Sequence, residues 1–338
     1  MEGSRTAEGV QVGGDARQRF HQARGYGRAT PDGTVVLAPV EAAHLLYRED
    51  LDSVEGLDFA GYCRRVSDPG FLTRFAVYKD VRERGFYLDP LPDGPHDFDV
   101  YERGADPTGG PVAYEVRVVD ESRSIRASSL RAETLAIVDE EGEVAYIAVT
   151  PDRPEGDVPE PEPLGVPADL VGDRVVVWDP PAELYGRYFF GQPIGGRNAT
   201  DEPLQLSFVE AAYLVRTEVL ELGIDLEELE RRARAIGGEG FDRRRTVYTE
   251  LRERGTVPKT GYKFGADFRV YPKFASIDGL EHSDSLVRVL APAESLRPRA
   301  IALDVRLAGG VGKRMLFALS DATQDRPTTW FAVERLTP

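Results

Sequence analysis

Three side chains in the last third of the chain are of types that could act together on one phosphodiester. They are Tyr271, His282 and Lys313. A base can take the proton from a ribose 2′-hydroxyl, an acid can protonate the departing 5′-oxygen, and a cation can stabilise charge on the phosphoryl oxygens. Histidine suits the acid, because its ordinary pKa is about 6.5. Tyrosine, with an ordinary pKa of about 10, needs a nearby cation to act as a base.

Each of these residues also has an ordinary structural explanation. A tyrosine at a strand end usually packs half-buried, and a histidine in a polar loop or a lysine before a strand is usually solvated. The three become informative together only because the chain supplies its own comparison.

That comparison is a long internal repeat. Four segments recur about 170 residues later in the chain: Val77–Gly85 as Val247–Gly255, Val40–Ala43 as Val209–Ala212, Asp97–Tyr101 as Asp267–Tyr271, and Val116–Val118 as Val287–Val289. A spacing this long is too large for a solenoid unit, so each copy is expected to be a domain-sized body.

The two copies differ at the reactive positions. The first copy keeps Tyr101 but has Pro111 where the second has His282, and Arg131 where the second has Lys313. A copy that keeps its scaffold while losing two reactive side chains indicates that those side chains serve chemistry. We therefore predict the site in the second copy.

Helices are predicted at the start of the second copy. Apolar residues at helical spacing predict Phe208–Leu222 and Phe241–Arg254, each followed by a glycine. Asp225 and Glu228 form the pattern of a capping box for a third helix between them.

Strands follow these helices. Stretches rich in β-forming residues predict Lys263–Tyr271, Ser285–Leu290, Arg314–Leu319 and Thr328–Val333. Arg299–Ala308 fits either strand alternation or a helix, and we favour a helix.

These elements predict an α/β (α+β) fold in which each copy is a small helical subdomain followed by a compact α/β subdomain. Residues 1–18 are polar and glycine-rich and are expected to be a flexible tail. The first copy is expected over 19–150, and the proline-rich acidic stretch 151–170 is expected to be an extended linker. The second copy is then divided into 171–257 and 258–338.

The protein is strongly acidic, with 58 acidic and 42 basic residues and a net charge of −16. Taken alone, this charge argues against a nucleic-acid partner. However, scarce lysine, a single cysteine and excess carboxylate are typical of proteins from a salt-rich cytoplasm, where molar salt screens charges beyond about 3 Å. Net charge therefore does not exclude a nucleic acid.

Nothing in the sequence indicates a membrane or an oxidising compartment. No apolar run approaches the ~20 residues of a membrane-spanning helix, and the amino-terminal residues lack the pattern of a signal peptide. The single cysteine, Cys63, excludes an internal disulfide and a cysteine-based zinc site. We expect a cytoplasmic protein that does not associate with a membrane.

Three segments of the second copy closely resemble the archaeal tRNA-splicing endonuclease (tRNA-intron endonuclease) family. They are Lys259–Tyr271, which from Lys263 onward matches the family's central motif nearly residue for residue, Glu281–Ser283, and Val311–Ala318. Together with the tandem copies, the resemblance covers the chain beyond residue 18. It is most similar to the two-repeat, homodimer-forming type, from a haloarchaeon.

The resemblance implies a restriction-endonuclease-like nuclease subdomain that cleaves precursor tRNA at both intron boundaries, within a bulge–helix–bulge motif. It implies 2′,3′-cyclic phosphate and 5′-hydroxyl ends, and no metal or other cofactor. Carried over by position, Tyr271 would be the general base, His282 the general acid and Lys313 the charge stabiliser. A longer loop between Tyr271 and His282, and the Gly309-Gly310 pair, depart from the family pattern.

The resemblance also implies contacts between two protomers. In the family, two arginines from the opposite protomer clamp a flipped bulge base, and their positions correspond to Arg306 and Arg335. A guanidinium plane stacked on a base is a known mode of RNA recognition. An acidic loop of the first repeat docks into a basic groove of the other protomer, which here corresponds to the turn containing Asp139, Glu140, Glu141 and Glu143.

Other functions remain open from the residues alone. A duplicated chain could be a non-catalytic RNA-binding or assembly subunit, although such a subunit is expected to lose part of the trio. Asp267, Asp284 and Asp304 could belong to a metal-dependent DNA nuclease, but their spacing fits no known ligand pattern. Gly309–Arg314 does not form a phosphate-binding loop, because Arg314 replaces the required serine or threonine.

Overall fold

Two successive sets of elements with the same order make up this chain. The computed structural model describes residues 1–66, 68–105, 109–199, 202–238, 240–322 and 326–338. Each set comprises a small sheet with helices, followed by strands that join one large sheet. The fold is therefore mixed α and β, as the sequence predicts. The predicted small helical subdomain is wrong, because the first part of each copy contains a five-stranded sheet beside its helices.

The first copy begins with a five-stranded sheet. Its strands are β1 (Glu2–Thr6), β2 (Gly9–Val12), β3 (Arg28–Ala29), β4 (Val35–Leu37) and β5 (Ser53–Val54). They lie side by side in the order β3-β4-β2-β1-β5. A π-helical turn covers Arg17–Gln22, and the helices are α1 (Pro39–Tyr47), α2 (Phe59–Arg65) and α3 (Phe71–Glu83).

The prediction of a flexible tail over residues 1–18 is wrong. β1 and β2 form an antiparallel pair in which Gly3 lies opposite Val12. Val10 and Val12 are buried in the core of the first copy. The polar composition concealed a short strand with alternate buried valines. The first copy therefore begins by Glu2 rather than near residue 19.

The second copy repeats this arrangement. Its small sheet contains β12 (Val166–Val171), β13 (Arg174–Val177), β14 (Gln192–Pro193), β15 (Leu204–Leu206) and β16 (Leu220–Leu222), in the order β14-β15-β13-β12-β16. Its helices are α4 (Ala182–Gly186), α5 (Phe208–Arg216), α6 (Leu226–Gly237) and α7 (Gly240–Glu253). The predicted helix Phe208–Leu222 thus ends early, and its last residues pair with β12 as a strand.

The stretch 151–170 is only partly a solvated linker. Its first residue ends a strand and its last residues belong to β12. In between, Val158 is buried, and its N–H donates to the carbonyl of Gly255 at 2.9 Å. Gly156 approaches Gly255 so closely that a Cβ on Gly156 would lie 2.3 Å from the Gly255 carbonyl oxygen. The segment is therefore packed against the second copy.

A ten-stranded sheet runs through both copies. The first copy contributes β6 (Leu88–Pro90), β7 (Phe98–Tyr101), β8 (Val112–Asp120), β10 (Glu133–Val138) and β11 (Val144–Pro151). The second contributes β17 (Val257–Thr260), β18 (Phe268–Tyr271), β19 (Ser285–Leu290), β21 (Arg314–Leu319) and β22 (Thr329–Leu336). The short strands β9 (Ile125–Arg126) and β20 (Ser295–Leu296) pair with each other outside this sheet.

From either edge to the centre of the large sheet, the strands of one copy follow in the same order as their equivalents in the other copy. It runs β17-β18-β19-β21-β22-β11-β10-β8-β7-β6, so β22 and β11 meet at its centre. Val149 lies directly opposite Val333 in this antiparallel pair. The two copies are therefore continuous through backbone hydrogen bonds.

The connection between the two inner parallel strands differs in the two copies. In the second copy it contains α8 (Pro298–Gly310), which confirms the helix favoured for Arg299–Ala308. In the first copy a single 3₁₀ turn, Ala127–Ser129, stands in its place. Buried Ile301 and Val305 of α8 join a core that includes residues of both copies, among them Leu135 and Ile147.

The predicted strand Lys263–Tyr271 is wrong at its start. Tyr262–Phe264 forms a 3₁₀ turn, Gly265 follows with φ +69°, and the strand begins only at Phe268. A left-handed backbone at Gly265 ends the turn without the steric cost another residue would incur. The predicted strands Ser285–Leu290 and Arg314–Leu319 are confirmed.

A buried ion pair joins helix α5 of the second copy to the edge strand β17 of the large sheet. The Lys259 ammonium donates to Glu210 Oε1 at 2.8 Å and to the carbonyls of Gly191 and Phe189 at 2.8 and 3.2 Å. Burial acts to raise the pKa of Glu210, but Lys259 and the N–H groups of Ser207 and Gly191 hold it below its ordinary value. The carboxylate is thus charged and fully partnered.

The equivalent glutamate of the first copy forms no ion pair with any described residue, although the Arg82 charge acts to lower its pKa. Glu41 is buried and accepts hydrogen bonds from the N–H groups of Gly27 and Ala38 at 2.7 and 2.8 Å. The position of Lys259 is taken by Asp89. Burial raises the pKa of Glu41 to about 7, with a further contribution from the Asp89 charge.

We predict that Lys259→Met destabilises the protein by about 3–5 kcal/mol, because Glu210 is left as a buried charge without its partner. Urea unfolding at fixed salt measures the loss. The double variant Lys259→Met/Glu210→Gln should lose less, since it removes both charges. Equal stability of Lys259→Met and the wild type would contradict a net stabilising pair.

A second prediction concerns pH. The pKa of Glu41 is raised in the folded protein, so its contribution to stability is complete below about pH 4.5 and is lost as pH rises through about 7. Between these limits the change is on the order of 3 kcal/mol. Glu41→Gln should flatten the dependence of the urea midpoint on pH between 5 and 8. Parallel profiles for variant and wild type would show that Glu41 does not titrate there.

Candidate active site

Tyr271, His282 and Lys313 lie at one end of three neighbouring strands. Tyr271 is the last residue of β18, His282 precedes β19, and Lys313 immediately precedes β21. β18 runs antiparallel to β19, and β19 runs parallel to β21. The end of the first strand therefore meets the beginnings of the other two. The structure brings the three predicted residues to the same edge of the sheet.

Backbone contacts fix the segment after His282 between the other two strands. The Asp284 N–H donates to the Val270 carbonyl at 2.9 Å, and the Arg314 N–H donates to the Asp284 carbonyl at 3.1 Å. The Lys313 ammonium donates to the Ser283 carbonyl at 2.6 Å. Lys313 is thus held against the residue that follows His282.

Tyr271 is held by aromatic packing. Only 4% of its surface is exposed. Its ring meets Phe189 edge to face at 5.7 Å, and buried Val158 and Val257 complete the cluster. Within the described residues its hydroxyl makes no hydrogen bond. The position of the ring is therefore set by packing, and its hydroxyl is not committed to a neighbouring side chain.

His282 is exposed, and its ring makes no hydrogen bond with any described residue. The loop that carries it, residues 272–284, is anchored at its far end by Ser283 and Asp284. The imidazole is thus available to a ligand.

Lys313 lies in the turn that follows the end of α8. The backbone turns at Gly312 with φ +64°, and the Lys313 N–H donates to the Ala308 carbonyl at 2.9 Å. Burial and the Arg269 guanidinium hold the pKa of Lys313 below its ordinary value, although the Asp284 carboxylate acts in the opposite direction. A side chain other than glycine at residue 312 would strain this turn.

Sheet register supports the equivalence of Arg131 and Lys313. Val116 of β8 lies opposite Thr134, and its repeat counterpart Val287 lies opposite Leu316. Counting back three residues from Thr134 and Leu316 gives Arg131 and Lys313.

The equivalent side chains of the first copy are committed to other contacts. The Tyr101 hydroxyl donates to Asp89 Oδ2 at 2.9 Å. Burial, this hydrogen bond and the charges of Asp89 and Asp99 raise the pKa of Tyr101. Arg131 pairs with buried Glu133 at 3.1 Å. These contacts commit both Tyr101 and Arg131 to neighbouring carboxylates of the first copy.

Sequence reasoning missed the cations on the face of Tyr271. Lys259 and Arg269 lie opposite each other on β17 and β18, where the first copy pairs Asp89 with Asp99. Aligning the two copies position by position would have revealed this change from two acids to two cations.

Arg306 and Arg335 line one groove of about 690 Å³. Arg306 is on α8 and Arg335 on β22, and both are exposed without an ion pair in the described part of the chain. Asp139 and Glu143 line the same groove. The structure thus brings the two predicted arginines together, next to the acidic turn of the same chain.

The acidic turn connects β10 and β11. Asp139 Oδ1 accepts hydrogen bonds from the N–H groups of Glu141 and Glu143, both at 2.9 Å. Glu140, Glu141 and Glu143 are exposed. Asp139 therefore shapes the turn, while the other three present charge to the outside.

Within the described ranges, no group of three or more His, Cys, Asp or Glu side chains is arranged to hold a metal ion. No described helix is both long and apolar enough to cross a membrane.

Comparison with known families matches most of the chain. The model of the tRNA intron endonuclease catalytic C-terminal domain matches residues 241–330. The model of the corresponding N-terminal domain matches twice, at residues 1–63 and 166–233. The two N-terminal matches cover the two small sheets and the first helices beside each of them.

Similar proteins extend over the whole chain. The tRNA-splicing endonuclease of Haloferax volcanii is 50% identical over 97% of each chain. That of Halobacterium salinarum is 48% identical over the full length of both, and that of Methanosarcina mazei is 35% identical over 92% of each. The predicted family and its haloarchaeal affinity are confirmed. The chain belongs to the tRNA-splicing endonuclease family.

Proposed function

We propose that this protein cleaves precursor tRNA at both intron boundaries, within a bulge–helix–bulge motif. The observation that carries the proposal is the convergence of Tyr271, His282 and Lys313 at one sheet end of the second copy. Their counterparts in the first copy are engaged elsewhere or replaced. The substrate is RNA in the cytoplasm, and the reaction uses no cofactor.

The chemistry is an intramolecular transesterification. The 2′-oxygen forms a bond to phosphorus as its proton passes to Tyr271, and the bond from phosphorus to the 5′-oxygen breaks. His282 gives a proton to that oxygen, and Lys313 stabilises the negative charge on the non-bridging oxygens. The products are a 2′,3′-cyclic phosphate and a 5′-hydroxyl. Neither water nor a metal ion enters this step.

The architecture fits a tandem duplication with one active copy. The two small sheets have equivalent strand orders, and the two halves of the large sheet do as well, which supports this origin. We infer that the strands of each copy form a restriction-endonuclease-like nuclease subdomain, functional in the second copy and structural in the first.

The two-repeat type that the sequence resembles forms homodimers, so we propose that the active form is a homodimer with one active site for each boundary. Arg306 and Arg335 of each protomer clamp a flipped base at the site of the other. Their exposure and lack of ion pairs within the described residues suit this role. The turn of Asp139, Glu140, Glu141 and Glu143 docks against the neighbouring protomer.

Substitution of the trio tests the mechanism. His282→Ala should slow cleavage of a bulge–helix–bulge RNA by about 10²–10⁴ through loss of the general acid, with RNA binding nearly intact. Lys313→Ala should have a comparable effect. Single-turnover rates measure both, and Tyr271→Phe is compared with the first-copy control Tyr101→Phe, which should cleave normally. A wild-type cleavage rate for His282→Ala would contradict the assignment of His282 as the general acid.

The substrate distinguishes this mechanism from its rivals. A 2′-deoxy residue at the cut site should abolish cleavage, because only the intramolecular attack needs that oxygen. Undiminished cleavage of the deoxy substrate, or abolition of cleavage by a chelator, would favour a metal-dependent nuclease. Purified protein that binds the RNA without cutting it would be a non-catalytic subunit. End-group analysis of the products identifies the cyclic phosphate.

Neutralising the acidic turn tests the dimer. Replacing Glu140, Glu141 and Glu143 with glutamine should weaken dimerisation and cleavage together, because the docking charge is lost while Asp139 preserves the turn. Sedimentation and cleavage are measured at one salt concentration. The matched control replaces three exposed glutamates elsewhere, Glu160, Glu162 and Glu183. A turn variant that behaves as this control shows a merely solvated loop.

A further inference from the structure

Arg269 is a cation beside the candidate active site that the trio mechanism does not use. It lies two residues before Tyr271 on β18, so both side chains project from the same face of the sheet. Its guanidinium carbon is 5.8 Å from the centre of the Tyr271 ring. Its charge also contributes to the lowered pKa of Lys313. Arg269 is therefore electrostatically close to two members of the trio.

Arg269 lacks an anionic partner in the described part of the chain. Its Nε is buried without a hydrogen-bond acceptor, and the guanidinium makes no ion pair with any described carboxylate. The carboxylate of Glu210 is already bound to Lys259, which lies opposite Arg269. A buried charged donor without an acceptor is costly to maintain. The environment of Arg269 therefore suits an incoming anion.

The first copy supplies an internal control. Asp99 stands at the position of Arg269 and contacts His96 Nε2 at 2.6 Å. Asp89, opposite Asp99, accepts the hydrogen bond of Tyr101. The copy without the trio thus presents two acids on the face where the copy with the trio presents two cations. The backbone pairing is the same in both copies. The change from negative to positive side chains therefore accompanies the presence of the trio and not a change of fold.

We propose, on the basis of the function proposed above, that Arg269 is a fourth active-site side chain and binds a non-bridging oxygen of the phosphate at the cleaved bond. The planar guanidinium fork matches phosphate oxygens, and its charge does not depend on pH in the working range. Placed beside Tyr271 and Lys313, it stabilises the charge that builds on phosphorus during attack.

Arg269→Gln removes the charge and keeps a planar polar side chain. It should lower kcat by about 10–10²-fold, the usual worth of a hydrogen bond to a charged group, with a smaller change in KM. Arg269→Lys retains the charge without the fork and should restore part of the loss. Arg153→Gln, at an exposed arginine of the 151–170 stretch, is the matched control and should cleave as the wild type does.

The dependence on pH separates this role from a structural one. Lys313 must be protonated to act as a cation, and the charged groups that influence it are Arg269 and Asp284. Without Arg269 the pKa of Lys313 rises, so the alkaline loss of activity should move to higher pH. Because the chain has five lysines, NMR of lysine labelled with ¹³C at Cε can follow this titration without any cleavage assay.

Three results would overturn the inference. If the wild type leaves bulge–helix–bulge RNA intact, the proposed function and the role of Arg269 fail together. If the wild type cleaves, and Arg269→Gln has the same kcat and the same loss of activity at alkaline pH as Arg153→Gln, only the role of Arg269 fails. The same holds if Arg269→Gln loses activity only in proportion to lost folded protein, with the Lys313 titration unmoved.

Discussion

The buried pair of Lys259 and Glu210 is the contact on which the second copy depends. Glu210 closes the first turn of α5 through the N–H of Ser207, and Lys259 lies on the edge strand next to Tyr271's own strand. The same ammonium also holds the carbonyls of Phe189 and Gly191. Since Phe189 packs on Tyr271, one ion pair couples α5 to the position of the tyrosine ring.

The first copy shows what the scaffold requires without chemistry. It keeps the glutamate as Glu41 and the tyrosine as Tyr101, but Asp89 replaces the lysine and binds the tyrosine hydroxyl. The backbone register and the hydrogen bond from the N-cap N–H to the glutamate both survive this exchange. The electrostatic environment does not survive, because a carboxylate beside a buried phenol favours the neutral form of the phenol. Folding therefore constrains the shape of this edge, and the charges on it are free to follow function.

Much of the candidate site could be predicted because short continuous segments of sequence encode it. Strands Ser285–Leu290 and Arg314–Leu319 follow from β-forming runs, and the reactive trio stands out against the degenerate copy. The strand at residues 2–6 could not be seen, since its composition is polar and the buried valines that mark the hairpin belong to its partner β2. Burial of Val158 was equally hidden, because it depends on a glycine contact with Gly255 that no local pattern encodes.

The asymmetry of the two copies has a packing cause at the centre of the large sheet. β11 and β22 pair there, and α8 lies over β10 as well as over β21 and β22. One helix thus covers central strands of both copies, with Ile301 and Val305 in the same core as Leu135 and Ile147. The first copy could therefore shorten its own connection to a 3₁₀ turn without exposing that core. The first copy, which has no helix there, therefore also has no position equivalent to exposed Arg306 of α8, while the central strand pairing between the copies is intact.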